Sequence, residues 1–154
     1  MPHVLLFRSK AFEHHSTSGL YGDVIEELDD TVGRILAELS LLNLADNTLV
    51  VFTSDNGPWL KYKTLGGSAG LLRDGKSSVW EGGMRVPALF WGPGIVHDIG
   101  STLDFMATFA ALSNAELPAS QPVLDSLNLM PVLARGEKGP RDEIFLFRRS
   151  VGRG

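Results

Sequence analysis

No cysteine occurs among the 154 residues. Disulfides, thiolate metal sites and a cysteine nucleophile are therefore excluded within this chain, and the redox compartment stays open. Long apolar runs are missing as well. The first one, Val4–Phe7, is too short for the core of a signal peptide, and none approaches the length of a membrane span. The chain thus reads as soluble and without an address of its own, so its location is unknown. A basic block is also lacking: 14 Lys and Arg against 18 Asp and Glu leave a net charge of −4. That balance argues against a nucleic-acid partner. What is present is ordinary, with 44% hydrophobic and 21% charged residues. Such a composition suits one globular domain or a piece of a larger one.

From Tyr21 to Leu42 the apolar residues Val24, Ile25, Leu28, Val32, Ile35, Leu36, Leu39 and Leu42 recur at helical spacing. Glu26, Glu27, Asp29, Asp30 and Glu38 fall mostly on the other face, most simply a solvated one. Ser18 or Gly19 is the candidate cap, and Asn43–Asn47 the stop. "TLVVFT" (Thr48–Thr53) follows, a β-branched and aromatic run without polar alternation. It reads as a strand buried on both faces, the kind found in parallel sheets. "VPALFW" (Val86–Trp91) reads as a second, ended by Gly92–Gly94. Ser101–Ala115 predicts an amphipathic helix, with Ser101 as cap and Asp104 in the first turn. A short helix over Leu127–Leu133 and a strand over Glu143–Phe147 complete an α/β pattern.

Two stretches carry candidate chemistry. The first strand runs into "SDNG" (Ser54–Gly57), and ligands of open α/β sheets collect at the carboxyl ends of strands. Asp55 and Asn56 offer hard oxygen donors of the type calcium or magnesium selects. Asp-Asn-Gly is equally an excellent turn, and two donors fill only part of a coordination shell. The second stretch, "GLLRDGKS" (Gly70–Ser77), fits the phosphate-loop pattern. That pattern works only between a strand and a helix. Neither flank supplies one: Thr64–Gly70 is rich in small residues, and Ser77–Glu81 has room for barely one turn before two glycines. Lys76 needs another anion. By themselves, His3, His14, His15 and His97 read as surface residues, and Trp59 and Tyr62 as packing aromatics.

"NTLVVFTSDNGPW", followed by "GSAGLLRDGKSSVWEGGMRVPALFWGPG", resembles the sulfatase family, in the branch of the arylsulfatases and galactosamine sulfatases. The likeness covers nearly the whole chain, from "MPHV" through "GLYGDVIEELDDTVGRIL" to "LDSLNLMPVLARGEKGPRDEIF". It implies a fragment of an alkaline-phosphatase-like α/β domain, with a mostly parallel central sheet flanked by helices. It further implies that Asp55 and Asn56 are ligands of a divalent metal, most often calcium, and that Lys76 contacts sulfate. Counting back from Tyr21-Gly22-Asp23 as that family does makes His3 an active-site residue. Glu81, Gly82, Gly83 and Arg85 match the family's signature and are expected to shape the loop.

The implied activity is that of a sulfuric ester hydrolase acting on an aryl, small-molecule or glycan sulfate ester. Sulfatases use a formylglycine made from Cys or Ser in a C/S-x-P-x-R motif. Here cysteine is absent, and the only Ser-x-Pro, Ser120-Gln121-Pro122, is followed by Val123 and Leu124, without the arginine. The expectation is that residues 1–154 form a partial catalytic domain, inactive alone. The formylglycine segment and further metal ligands are expected upstream of Met1, and most of a C-terminal subdomain is expected beyond the drift after Phe147. The alternatives are a non-catalytic remnant or interaction fragment, and a phosphoesterase of the same superfamily.

Overall fold

The computed structural model describes residues 4–91, 98–117 and 125–146. Two compact units divide between Trp91 and Gly92.

The first unit is organised around α1 (Gly19–Leu41). Ser18 occupies the cap position, yet its side chain makes no capping bond. Asp23 secures the helix start instead. Its carboxylate accepts from the Ser16 amide at 2.7 Å and the His14 amide at 3.2 Å, and meets Arg8 Nε at 3.0 Å. At 1% exposure this carboxylate is out of water, where it persists only because its oxygens are paired. The helix ends as expected, with Asn43 left-handed (φ 57°) and the Leu44 amide donating to Leu39 O at 2.9 Å. This six-to-one closure satisfies an otherwise orphaned carbonyl. On the acidic face Asp29, Asp30 and Glu38 are exposed. Glu26 and Glu27 are half-buried and partnered, Glu26 with His15 and Glu27 with the Ser9 amide at 2.8 Å.

Strands β1 (Val51–Thr53) and β2 (Ala88–Phe90) pair in antiparallel fashion, Val51 opposite Phe90 and Thr53 opposite Ala88. Trp91 N extends the ladder to Val50 O at 2.9 Å, and Thr53 Oγ1 donates to Pro87 O at 3.0 Å. The sequence predicts a mostly parallel sheet from fully buried strands, and this pair departs from it. A parallel return needs a crossover, usually a long helix. Residues 54–87 instead fold back through turns, with only the 3₁₀ segment Leu60–Leu65 and the four-residue α2 (Glu81–Met84) as helix, so the second strand arrives reversed. Neither strand is buried on both faces; Leu89 is 61% exposed.

In the second unit, Ser101 begins a 3₁₀ turn (Thr102–Asp104) that leads into α3 (Phe105–Ser113). The expected cap is present as a full capping box between Ser101 and Asp104. α4 (Met130–Arg135) ends at Gly136, which is left-handed (φ 63°). It starts later than the sequence predicts, and the amides before it are held by side chains of the preceding helix segment. Leu127 N donates to Asp104 Oδ1 and Leu129 N to Thr108 Oγ1, both at 2.9 Å. Leu129 and Val132 are the buried apolar side chains among the described residues of this unit. Residues 143–146 form no strand; the nearby pairing is a single bridge between Ile99 and Arg141.

Candidate anion and metal site

β1 delivers the chain into Ser54–Gly57, and hydrogen bonds fix the turn. Buried Ser54 Oγ donates to Asn56 O at 3.1 Å, and Asn56 Nδ2 donates to Asp55 Oδ2 at 2.5 Å. The two side chains therefore converge on one point, with Asp55 exposed and Asn56 half-buried.

The next residues are bound to the Lys76 loop by its backbone. Gly57 N donates to Gly83 O at 2.9 Å, Lys76 N to Pro58 O at 2.8 Å, and Gly82 N to Arg73 O at 2.8 Å. Glycine is required at these crossings. A Cβ on Gly57 would lie 1.8 Å from Gly82 O, and one on Gly82 would lie 2.0 Å from Asp74 O. Both obstacles are backbone, which has no rotamer with which to yield. The expectation that Gly82 and Gly83 shape the loop is met, and Arg85 pairs with Glu81 at 3.1 Å on its rim. Asp74 (φ 64°) and Ser77 (φ 78°) flank Gly75-Lys76 in the left-handed region that L side chains rarely adopt. Such conformations cost about 1–3 kcal/mol each and are held in place by surrounding structure.

Lys76 Nζ stands 5.5 Å from the centre of the Trp59 ring, within the range of a cation–π attraction. Trp59 in turn meets Tyr62 edge-on, with centroids 4.6 Å apart. No strand enters this loop at Gly70, and turns follow Lys76. The setting of a nucleotide phosphate loop is absent here.

Tyr21-Gly22-Asp23 proves to be a structural motif. A Cβ on Gly67 would lie 2.7 Å from Tyr21 Oη, so the ring sits against the loop beside Pro58, and burial pushes its phenol pKa up. A Cβ on Gly22 would strike Ser16 Oγ at 2.3 Å. Sequence reasoning missed Asp23 and Asp104 as buried anchors, because a carboxylate at helical spacing looks like any solvated one. It also missed Arg73, whose guanidinium lies 3.5 Å over the Trp80 ring. Ser78 Oγ is buried without a hydrogen-bond partner, and no sequence signal marks it.

Among the described residues no group of three or more His, Asp or Glu is placed to hold a metal ion. Asp55 and Asn56 carry hard oxygen donors, two of the six to eight that calcium requires, and the bond between them runs from the Asn56 amide nitrogen to the Asp55 carboxylate. His3 and His97 lie outside the described residues. His14 and His15 are at the surface, as the sequence predicts.

The sulfatase family profile matches residues 8–115, a range that contains α1, both strands and the whole glycine-locked loop. The chain belongs to the sulfatase family. It is 41% identical to arylsulfatase A of Homo sapiens over 150 residues, covering 94% of this chain and 29% of that protein. It is 44% identical to N-acetylgalactosamine-6-sulfatase of Homo sapiens over 153 residues, covering 95% and 29%. A solved structure of Ps i-CgsB in complex with k-i-k-neocarrahexaose superposes with a TM-score of 0.77 at 32% identity, covering 89% of this chain and 32% of that one. This sulfatase chain therefore spans under a third of the length of these relatives.

Proposed function

We propose that the chain carries part of the metal and sulfate site of a sulfuric ester hydrolase whose substrate is an aryl or glycan sulfate. The observation that carries this reading is the 2.8 Å bond from Lys76 N to Pro58 O, two residues beyond Asn56. It ties the candidate sulfate-binding lysine and the candidate metal ligands into one rigid crossing. The relatives bear sulfatase names, and the solved neighbour is complexed with an oligosaccharide. Both support a sulfate ester of a glycan or small molecule.

In this reading Asp55 and Asn56 would hold a divalent cation, most simply calcium. When bound, the cation would supply Lewis-acid neutralisation of sulfate oxygens. Lys76 is a compact charge with three donors and would hold a sulfate oxygen as negative charge shifts toward the leaving alcohol. The Trp59 ring limits where its ammonium can go. The glycine crossings fix the lysine relative to Asp55 and Asn56, so little reorganisation is needed when charge develops. His3 would protonate the leaving oxygen or clamp the sulfate. Residues 1–154 contain neither cysteine nor Ser-x-Pro-x-Arg. The formylglycine nucleophile would therefore come from outside them.

The test is a relative such as human arylsulfatase A with its matching stretch replaced by residues 8–115. Turnover of 4-nitrophenyl sulfate is retained, and Lys76→Ala lowers it by about 10²–10³. Near-normal turnover in that variant removes Lys76 from the site. Preference for 4-nitrophenyl phosphate in the same protein assigns the chemistry to a phosphoesterase. The 154-residue chain alone hydrolyses neither ester, and measurable sulfate release from it would overturn the partial-site reading.

A further inference from the structure

Arg73 stands three residues before Lys76 on the same loop, and its situation differs from that of the other partnered arginines of the chain. Arg8, Arg85, Arg135 and Arg141 each face a carboxylate. Arg73 has no carboxylate partner among the described residues; its guanidinium carbon lies over the Trp80 ring, 3.5 Å from the ring centre. The neighbouring Asp74 carboxylate is turned away, accepting from Gly75 N at 2.8 Å.

The backbone beneath this side chain is fixed. Arg73 O accepts from Gly82 N at 2.8 Å, in a crossing that admits no Cβ on Gly82. Two cations thus project from one rigid loop, each over a tryptophan ring: Lys76 on Trp59 and Arg73 on Trp80. Their Cα atoms are no more than about 11 Å apart along the chain, the scale of neighbouring sugars in an oligosaccharide. Stacking occupies a face of the guanidinium and leaves its N–H edge for a planar or tetrahedral oxyanion. Both Arg73 and Trp80 are exposed, so a ligand reaches this edge from solvent.

We infer that Arg73, stacked on Trp80, is a specificity-determining residue that binds a second sulfate group on the substrate, while Lys76 holds the sulfate that is removed. The preferred substrate class is then a glycan sulfated on adjacent sugars rather than a monosulfated aryl ester. This inference rests on the sulfate-binding reading of Lys76.

The experiment titrates the full 154-residue chain with galactose 6-sulfate and with a galactose disaccharide sulfated on both sugars. Binding is followed by NMR, including the indole signals of Trp59 and Trp80. The disulfated probe binds more tightly and shifts the Trp80 indole; the monosulfated probe shifts only Trp59. Arg73→Ala abolishes the preference, a loss of about three- to tenfold in affinity for the disulfated probe. Its affinity for the monosulfated probe stays unchanged, and Arg73→Lys restores part of the loss. A preference that survives in Arg73→Ala, or its absence in the unsubstituted chain, overturns the inference while leaving Lys76 in place. Unchanged monosulfate binding in Lys76→Ala overturns the reading of Lys76 and, with it, the inference.

Discussion

Asp23 and Asp104 do more for the architecture than most of the apolar side chains. Each is a carboxylate removed from water and held by several donors. For Asp104, burial pushes the pKa up, but Arg141 and the amides of Leu127 and Ser101 outweigh it and hold it below the ordinary carboxylate range. For Asp23 the Ser16 amide leads, against burial, with the His14 amide and Arg8 adding to it. A lowered pKa means that the ionised form stabilises the fold. That contribution is complete above the unfolded value, about 3.9, and is lost as pH falls through the folded value. The urea midpoint should therefore drop below about pH 4, and Asp104→Asn should make that drop shallower. At neutral pH the same substitution leaves Arg141 facing a neutral amide. Removing one partner of a part-buried charged hydrogen bond costs about 1–3 kcal/mol, readable as a lowered urea midpoint. An unchanged midpoint would show that water replaces the lost bonds.

At the scale of elements, caps and crossings decide what the local sequence leaves open. Ser101 Oγ accepts from Leu103 N at 3.2 Å and starts the segment that becomes α3. Ser101→Ala should destabilise the second unit by about 1 kcal/mol. That loss should appear as faster amide exchange over Thr102–Phe105. The loop crossings respond more steeply. In Gly82→Ala the new methyl meets Asp74 O, and the backbone must separate. Overpacking of this kind costs about 1–3 kcal/mol. Because the displaced loop carries Arg73 and Lys76, sulfate binding should fall together with stability. Loss of stability with sulfate binding intact would show that Lys76 does not depend on the crossing.

Across the whole molecule, apolar exposure is the outstanding property. Among the described residues, Leu129 and Val132 are the buried hydrophobic side chains. Phe7, Leu41, Leu71, Leu89, Met106 and Phe145 are more than half exposed. Large apolar side chains exposed in this number are a liability to aggregate. The chain alone should bind the dye ANS and self-associate as its concentration rises, checked by fluorescence and sedimentation. A dye-silent monomer would mean that these side chains find cover in solution. The relatives carry more than twice as much further chain, and full-length proteins of this kind have more apolar area to bury per residue.

Much of this was legible in one dimension because it depends on neighbours in sequence. The periodicity of Val24, Leu28, Val32 and Leu36 sets α1, Ser101 and Asp104 set a cap three residues apart, and the glycines of Glu81–Arg85 mark close backbone approach. The successive motifs from Asp55-Asn56 to Arg85 suffice to place the chain among sulfatases. The antiparallel return of β2, the desolvation of Asp23 and Asp104, and the stacking of Arg73 on Trp80 were decided only in three dimensions. Each depends on which distant atoms arrive at a point, and a pattern of residue types does not specify that meeting. The bond between Lys76 N and Pro58 O spans 18 residues of turns, and it exists because glycines at the crossings let two backbones touch.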